Sequence, residues 1–241
     1  MTKNTHKKIT EIRRLDENTP FAIREAFNHL RTNLMYTSST TDGCPIYGIT
    51  AAEVGVGKST ICANIAISFS QLGKKVLLID ADMRRPVQHK IFHQSKKHSG
   101  LSDLLAGISE DDTQTIVSPQ DSLDIITIGY IPPNPSELLL NKRFAEYMEK
   151  WRQKYDIIFV DLPPVGIVAD PLTITNCIDG YLFVTLANFS NAVCVKKAMD
   201  SLEAVGGNIT GVVLNGTSNK TIGYAYRNKR RYYYNYKKSY R

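Results

Sequence analysis

The chain has 241 residues, enough for one large α/β domain with a buried core. It contains no run of about eighteen apolar residues, and Met1 to Arg14 lacks the apolar stretch of a secretory signal, so it reads as neither membrane-spanning nor exported. The net charge of +7 belongs to one segment: Lys220 to Arg241 holds eight Lys or Arg and no acid, while the first 219 residues carry 22 basic and 23 acidic groups, so the body lacks the basic face of a nucleic-acid-binding domain and no nucleic-acid partner is expected.

Residues 1–20 are polar and read as a mobile arm, ending at Thr19-Pro20, a cap-like helix start. From Phe21 to Tyr36, apolar residues at 23, 26, 27, 30 and 34 form a helical stripe, and Ser38 to Pro45 is a loop. Ile46 to Ala51 reads as a short buried strand. Ile61 to Leu72, apolar at 61, 65, 66, 69 and 72, reads as the helix that follows it. Gly73 stops that helix, and Lys75 to Ile79 is the second strand. Later strands are predicted at Leu123–Ile128, Asp156–Val160, Tyr181–Leu186 and Thr210–Leu214, with helices at Pro135–Lys154 and Asn191–Val205. Near-continuous apolar strands alternating with helices predict an α/β fold with a mainly parallel sheet covered on both faces. In such folds ligands sit beyond the carboxyl ends of the strands. The body, residues 21–217, is one domain, and residues 218–241 form a basic tail. Cys44, Cys62, Cys177 and Cys194 are scattered without C-x-x-C spacing and read as ordinary reduced thiols.

Between the first strand and its helix lies Ala52-Glu53-Val54-Gly55-Val56-Gly57-Lys58-Ser59-Thr60. Strand, Gly-rich turn and helix are the context of a phosphate-binding loop. Gly55 and Gly57 let backbone N–H groups turn inward around an anion, and the helix N-terminus adds partial positive charge. Lys58 would reach the β- and γ-phosphates and Ser59 would ligate Mg²⁺. The pattern G-x-x-x-x-G-K-[ST] places Gly where this chain has Ala52, which gives up easy access to positive φ. Two other predicted strands end in carboxylates, Asp80-Ala-Asp82-Met-Arg84 and Asp161-Leu-Pro163-Pro164. A strand-end Asp beside a P-loop is the usual second anchor for Mg²⁺, whereas a lone one is more often a cap or turn former.

These residues resemble the P-loop ATPases of the MinD/ParA class, and within it the bacterial tyrosine kinases of capsular and exopolysaccharide synthesis. Asp80-x-Asp82-x-Arg84 matches the second Walker A-type motif and Asp161-x-x-Pro164 the Walker B motif. Ile131-Pro-Pro-Asn-Pro-Ser-Glu-Leu-Leu139, Gly211-Val-Val-Leu-Asn215 and the Tyr-rich tail carry the narrower match, which runs from Phe21 to Arg241. The signature lysine of partition and positioning ATPases is absent from Ala51-Ala52-Glu53-Val54, in agreement with the kinases. The family's oligomerisation motif E-x-x-R-x-x-R stands here as Glu25-x-x-Asn28-x-x-Arg31, without its middle arginine. The signatures of eukaryotic-type kinases are missing.

The resemblance implies a P-loop NTPase fold that binds ATP and Mg²⁺ through Glu53, Val54, Gly55, Val56, Gly57, Lys58, Ser59 and Thr60. It implies Ser59, Asp82 and Asp161 as metal ligands, directly or through water, and Asn215 as the residue that hydrogen-bonds the adenine. Asp80 is implied as the acceptor of the tyrosine proton, although Asp80 and Asp82 could exchange roles. Arg84 and Arg85 have two readings, stabilisation of phosphate charge or a structural Asp–Arg pair.

Seven of the thirteen tyrosines lie in the tail, among them Tyr232, Tyr233, Tyr234, Tyr236 and Tyr240. Its composition suits either a basic-aromatic segment for anionic lipid or nucleic acid, or the kinase's own substrate. Each phosphotyrosine adds about −1.5 to −2, so four or five would bring the tail from +8 to about zero. The expectation is an ATP:protein-tyrosine phosphotransferase that phosphorylates its own tail in a neighbouring copy, within a ring. By resemblance it is cytoplasmic, regulates polysaccharide export, is held at the membrane by an activator of the chain-length-regulator type, and is reversed by a cognate tyrosine phosphatase. The alternative is a positioning ATPase with a lipid- or DNA-binding tail.

Overall fold

A computed structural model describes residues 14–38, 43–94 and 99–217. Helix α1 (Phe21–Ser38) precedes strand β1 (Ile46–Ala51), helix α2 (Lys58–Ser70) and strand β2 (Val76–Asp80). Next come the short helices α3 (Gln88–Ile91) and α4 (Leu101–Ala106), then strands β3 (Ile116–Gln120) and β4 (Leu123–Ile126). Helices α5 (Pro135–Leu139) and α6 (Lys142–Arg152) lead to strand β5 (Ile157–Asp161), which helix α7 (Asp170–Thr173) follows. Strand β6 (Gly180–Leu186), helix α8 (Ala192–Glu203) and strand β7 (Ile209–Asn215) complete the order.

The strands form one sheet in the order β3-β4-β2-β5-β1-β6-β7, parallel except where β3 pairs antiparallel with β4. The predicted doubly covered α/β sheet is present. Successive strand residues point to opposite faces, and on the inner strands β1, β2, β5 and β6 both faces are buried. On β5, Ile157 and Phe159 pack with Val76, Leu78 and α2, while Ile158 and Val160 pack with Leu77, Ile79, Phe144 and Trp151. Helix α2 is apolar nearly all round because it lies between the sheet and α1, which contributes Phe27 and Leu34.

Three local features depart from the expectations. The helix predicted over Pro135–Lys154 is two, broken at Leu140-Asn141, because Asn141 caps α6 by accepting from Arg143 N at 3.0 Å. The antiparallel edge strand β3, rich in Ser, Pro and Gln, gave no apolar pattern to read. The end of the arm is fastened to the body at Leu15, which is buried and whose N–H donates to Asn64 Oδ1 of α2 at 2.7 Å. The predicted helix start after Pro20 is present. The rest of the arm lies outside the described residues, as does the tail with Tyr232, Tyr233, Tyr234, Tyr236 and Tyr240. Among the described residues no helix is long and apolar enough to cross a membrane.

Candidate active site

Three neighbouring strands, β2, β5 and β1, bring the three motifs to one end of the sheet. The loop after β1 turns through Gly55 (φ +79°) and Gly57 (φ +92°), left-handed conformations that favour glycine. Gly57 then caps α2, so Lys58 and Ser59 open that helix with their N–H groups free of intrahelical partners. Ala52, where the general motif has Gly, is not among the positive-φ residues, so its methyl group imposes no backbone strain.

Lys58 is buried and its ammonium is shared by both strand-end motifs. Nζ lies 2.8 Å from Asp82 Oδ2, 3.2 Å from Asp161 Oδ1 and 3.1 Å from Ser59 Oγ. Burial disfavours the charge, but Asp161 and Asp82 outweigh it and hold the ammonium protonated well above the ordinary lysine range. These oxygens already surround one cation. A hydroxyl and two carboxylates form a hard, all-oxygen donor set, which fits Mg²⁺ completed by phosphate oxygens.

Asp80 and Asp82 occupy different environments. Asp82 lines an open cleft of about 520 Å³ together with Val54, Gly55, Gly57, Lys58, Ser59, Thr60, Arg84 and Arg85. Asp80 is fully buried, paired in register with Asp161, and its Oδ2 accepts from Val87 N (3.2 Å) and Gln88 N (3.0 Å). Burial, and then the charge of Asp161, push its carboxyl well above the usual carboxylate range. Arg84 forms a bidentate pair with Asp170 (2.8 and 2.9 Å) and, like Arg85, lines the cleft.

Asn215 donates from Nδ2 to Val56 O at 2.9 Å and thereby supports the phosphate loop. Glu53 accepts from Asn191 N at 3.1 Å, joining the loop to the start of α8. Val56 is buried in the core under the loop, and Val54 is exposed at its rim. On α1, Asn28 donates to Glu25 Oε1 (2.8 Å), while Arg31 donates to Ser68 O (2.7 Å) and Ser68 Oγ (3.0 Å), fastening α1 to α2.

Two residues that sequence reading missed connect the motifs. Gln88, fully buried, donates from Nε2 to Asp161 Oδ2 (2.8 Å) and Ser59 O (3.1 Å), while its N–H holds Asp80. Asp170 anchors Arg84. Neither gives a signal in one sequence: a glutamine on a one-turn helix and an Asp before Pro have no spacing that points inward.

Comparisons with known proteins give the family. A family model described as ParA, NUBPL iron-transfer P-loop NTPase, matches residues 45–221. The putative tyrosine-protein kinase CapB of Staphylococcus aureus is 35% identical over 193 residues, covering 80% of this chain and 84% of that protein. The tyrosine-protein kinase CpsD of Streptococcus agalactiae serotype Ia is 34% identical over 200 residues, covering 83% and 85%. Among solved structures, the kinase domain of the Escherichia coli tyrosine kinase ETK superposes with a TM-score of 0.77 at 35% identity, covering 88% of this chain and 85% of that one.

Proposed function

This chain belongs to the bacterial tyrosine-protein kinases, within the ParA class of P-loop NTPases, and on that premise we propose that it transfers the γ-phosphate of ATP to tyrosines of its own tail. The acceptors are Tyr232, Tyr233, Tyr234, Tyr236 and Tyr240 of a neighbouring copy in a ring. The observation that carries the reading is the cleft in which Lys58, Ser59 and Asp82 meet beside the glycine turn. Lys58 exchanges its carboxylate partners for the β- and γ-phosphates, and the N–H groups at the start of α2 cradle the same anion. Ser59 and Asp161 are the oxygens that would hold Mg²⁺, which when bound neutralises charge on the phosphates. Asp82, rather than Asp80, accepts the phenolic proton, because Asp82 reaches the cleft and Asp80 is sealed beneath Val87 and Gln88. A loose transition state makes positioning and charge neutralisation weigh more than the base. Asn215 supports the loop from below and also stands at the strand end where the adenine is read.

Phosphorylation cancels the tail's charge, so a tail drawn to an acidic, phosphate-bearing cleft is afterwards repelled, and the ring loosens. Glu25, Asn28 and Arg31 lie on the helix through which copies assemble. The role in the cell is control of capsular or exopolysaccharide polymerisation and export. The protein is held at the membrane by a chain-length-regulator activator and reset by a phosphatase.

Intact mass after incubation with Mg²⁺-ATP, with and without the activator's cytosolic peptide, tests this. Successive additions of phosphate mapping to Tyr232–Tyr240, and none in Lys58→Met, are expected. No mass change together with lipid- or DNA-stimulated hydrolysis would replace the kinase by a positioning ATPase. A rate per molecule that does not depend on protein concentration would remove the transfer between copies.

A further inference from the structure

The cleft has an apolar side that phosphate chemistry does not use. Pro163, Pro164, Ile167 and Val168 all line it and all come from the segment between β5 and α7. That segment is fastened at both ends. At its start the buried Thr50 hydroxyl donates to Pro163 O (2.7 Å) and accepts from Val165 N (3.2 Å). Gly166 lies so close to the phosphate loop that a Cβ there would stand 2.4 Å from the Ala52 carbonyl oxygen. At its end the fully buried Asp170 holds the fork of Arg84. Between these points the N–H groups of Ile167 and Val168 both donate to Pro164 O, at 3.0 and 3.1 Å, in a tight turn. On this turn Ile167 is 59% exposed. A segment so constrained presents a large apolar side chain to water beside the reacting groups, where burial by a ligand is favoured.

We propose that this lip is the acceptor subsite: the ring of the substrate tyrosine lies against Ile167, Val168 and Pro164, with its hydroxyl at the γ-phosphate beside Asp82. The proposal rests on the kinase reading above. In the transfer, the bond between phenolic oxygen and phosphorus forms as the bond from the γ-phosphorus to its bridging oxygen breaks. ADP leaves with the electron pair, and the phenolic proton passes to Asp82. The lip supplies what the phosphate loop cannot, a preference among hydroxyls. Serine and threonine carry the hydroxyl one carbon from the backbone and leave the apolar surface uncovered, whereas the phenol covers it and projects its oxygen beyond it. The ring needs no new pocket to open, because Thr50, Gly166 and the Arg84–Asp170 pair already hold the lip in place.

Steady-state kinetics of the full-length protein toward a synthetic peptide of residues 228–240 test the subsite, with Ile167→Ser, Ile167→Leu and a copy of the peptide in which every Tyr is Phe. Ile167→Ser is expected to raise the peptide KM about tenfold while the ATP KM moves less than about twofold. Ile167→Leu, which returns the apolar area in another shape, is expected to recover most of the peptide KM lost in Ile167→Ser. The Phe peptide should compete with the Tyr peptide on the wild-type protein and lose about tenfold in Ki on Ile167→Ser. Melting points read alongside exclude unfolding of an exposed substitution. Unchanged peptide KM and Ki in Ile167→Ser, or a parallel loss of ATP affinity, would overturn the subsite and leave the kinase standing. Absence of any transfer by the wild-type protein, to the peptide and to its own tail alike, would remove the kinase reading itself, and the subsite with it.

Discussion

Lys58 is the residue on which the site turns, an ammonium held among Asp82, Asp161 and Ser59. Asp82→Asn keeps the shape of the side chain and leaves Asp161 as a partner for Lys58, so its melting point should move little. Tyrosine transfer by this variant should fall about a hundredfold or more, read as initial rates at saturating ATP. Asp80→Ala should do the reverse in stability. It strands the N–H groups of Val87 and Gln88 in a dry interior, at about 2 kcal/mol, measurable by denaturant titration. The glycines of the loop divide in the same physical way. Gly57→Ala places a Cβ 2.3 Å from Asn215 Nδ2 at a left-handed φ of +92° and should weaken nucleotide binding more than about tenfold, scored with a fluorescent ADP. Ala52→Gly restores the general motif where no positive φ is needed. It should leave nucleotide affinity within about twofold and lower stability by about 0.5–1 kcal/mol.

At the scale of elements, Asp112 joins the turn before β3 to α6. Its carboxylate accepts from Lys150 Nζ at 2.9 Å and from the buried Trp151 Nε1 at 2.8 Å, with Lys154 Nζ 3.7 Å away. Burial pushes the Asp112 carboxyl up, but the hydrogen bonds from Lys150 and Trp151 outweigh it and hold it below the usual range. A carboxyl lowered in the folded state stabilises above its unfolded value and loses that contribution as pH falls through the folded one. Asp112→Ala should therefore cost about 2 kcal/mol near neutral pH, and the gap to wild type should narrow below about pH 4, followed by urea titration across pH. The same scale explains what the residue pattern hid. The helical stripe from Pro135 onward continues through Leu140-Asn141, and only the capping bond from Arg143 N to Asn141 Oδ1 divides α5 from α6. The edge strand β3 has no apolar alternation, because antiparallel pairing with β4 defines it rather than burial on two faces.

At the scale of the molecule, a nearly neutral body carries a strongly basic tail. Removing residues 218–241 should leave the melting point of the body within about 2 °C, since the segment offers little aliphatic surface to bury. The same truncation should abolish the phosphate additions seen by intact mass. Much of this organisation is determined by the sequence alone. Lys58 and Ser59 after two glycines, acids at the ends of apolar strands, and the strand–helix alternation follow from local spacing. Helix and strand periods, turn chemistry and motif distances are all properties of near neighbours along the chain. The tertiary structure decided the rest. The order β2-β5-β1 sets Asp80 beside Asp161 and out of the cleft, although Asp80 and Asp82 are two residues apart. Gln88 gains its place by bridging Ser59 and Asp161, 29 and 73 residues away, and Arg84 meets Asp170 across 86. Such contacts are made by the crossing of distant strands, and burial among them, not residue type, separates the carboxylate that lines the cleft from the one sealed inside the fold.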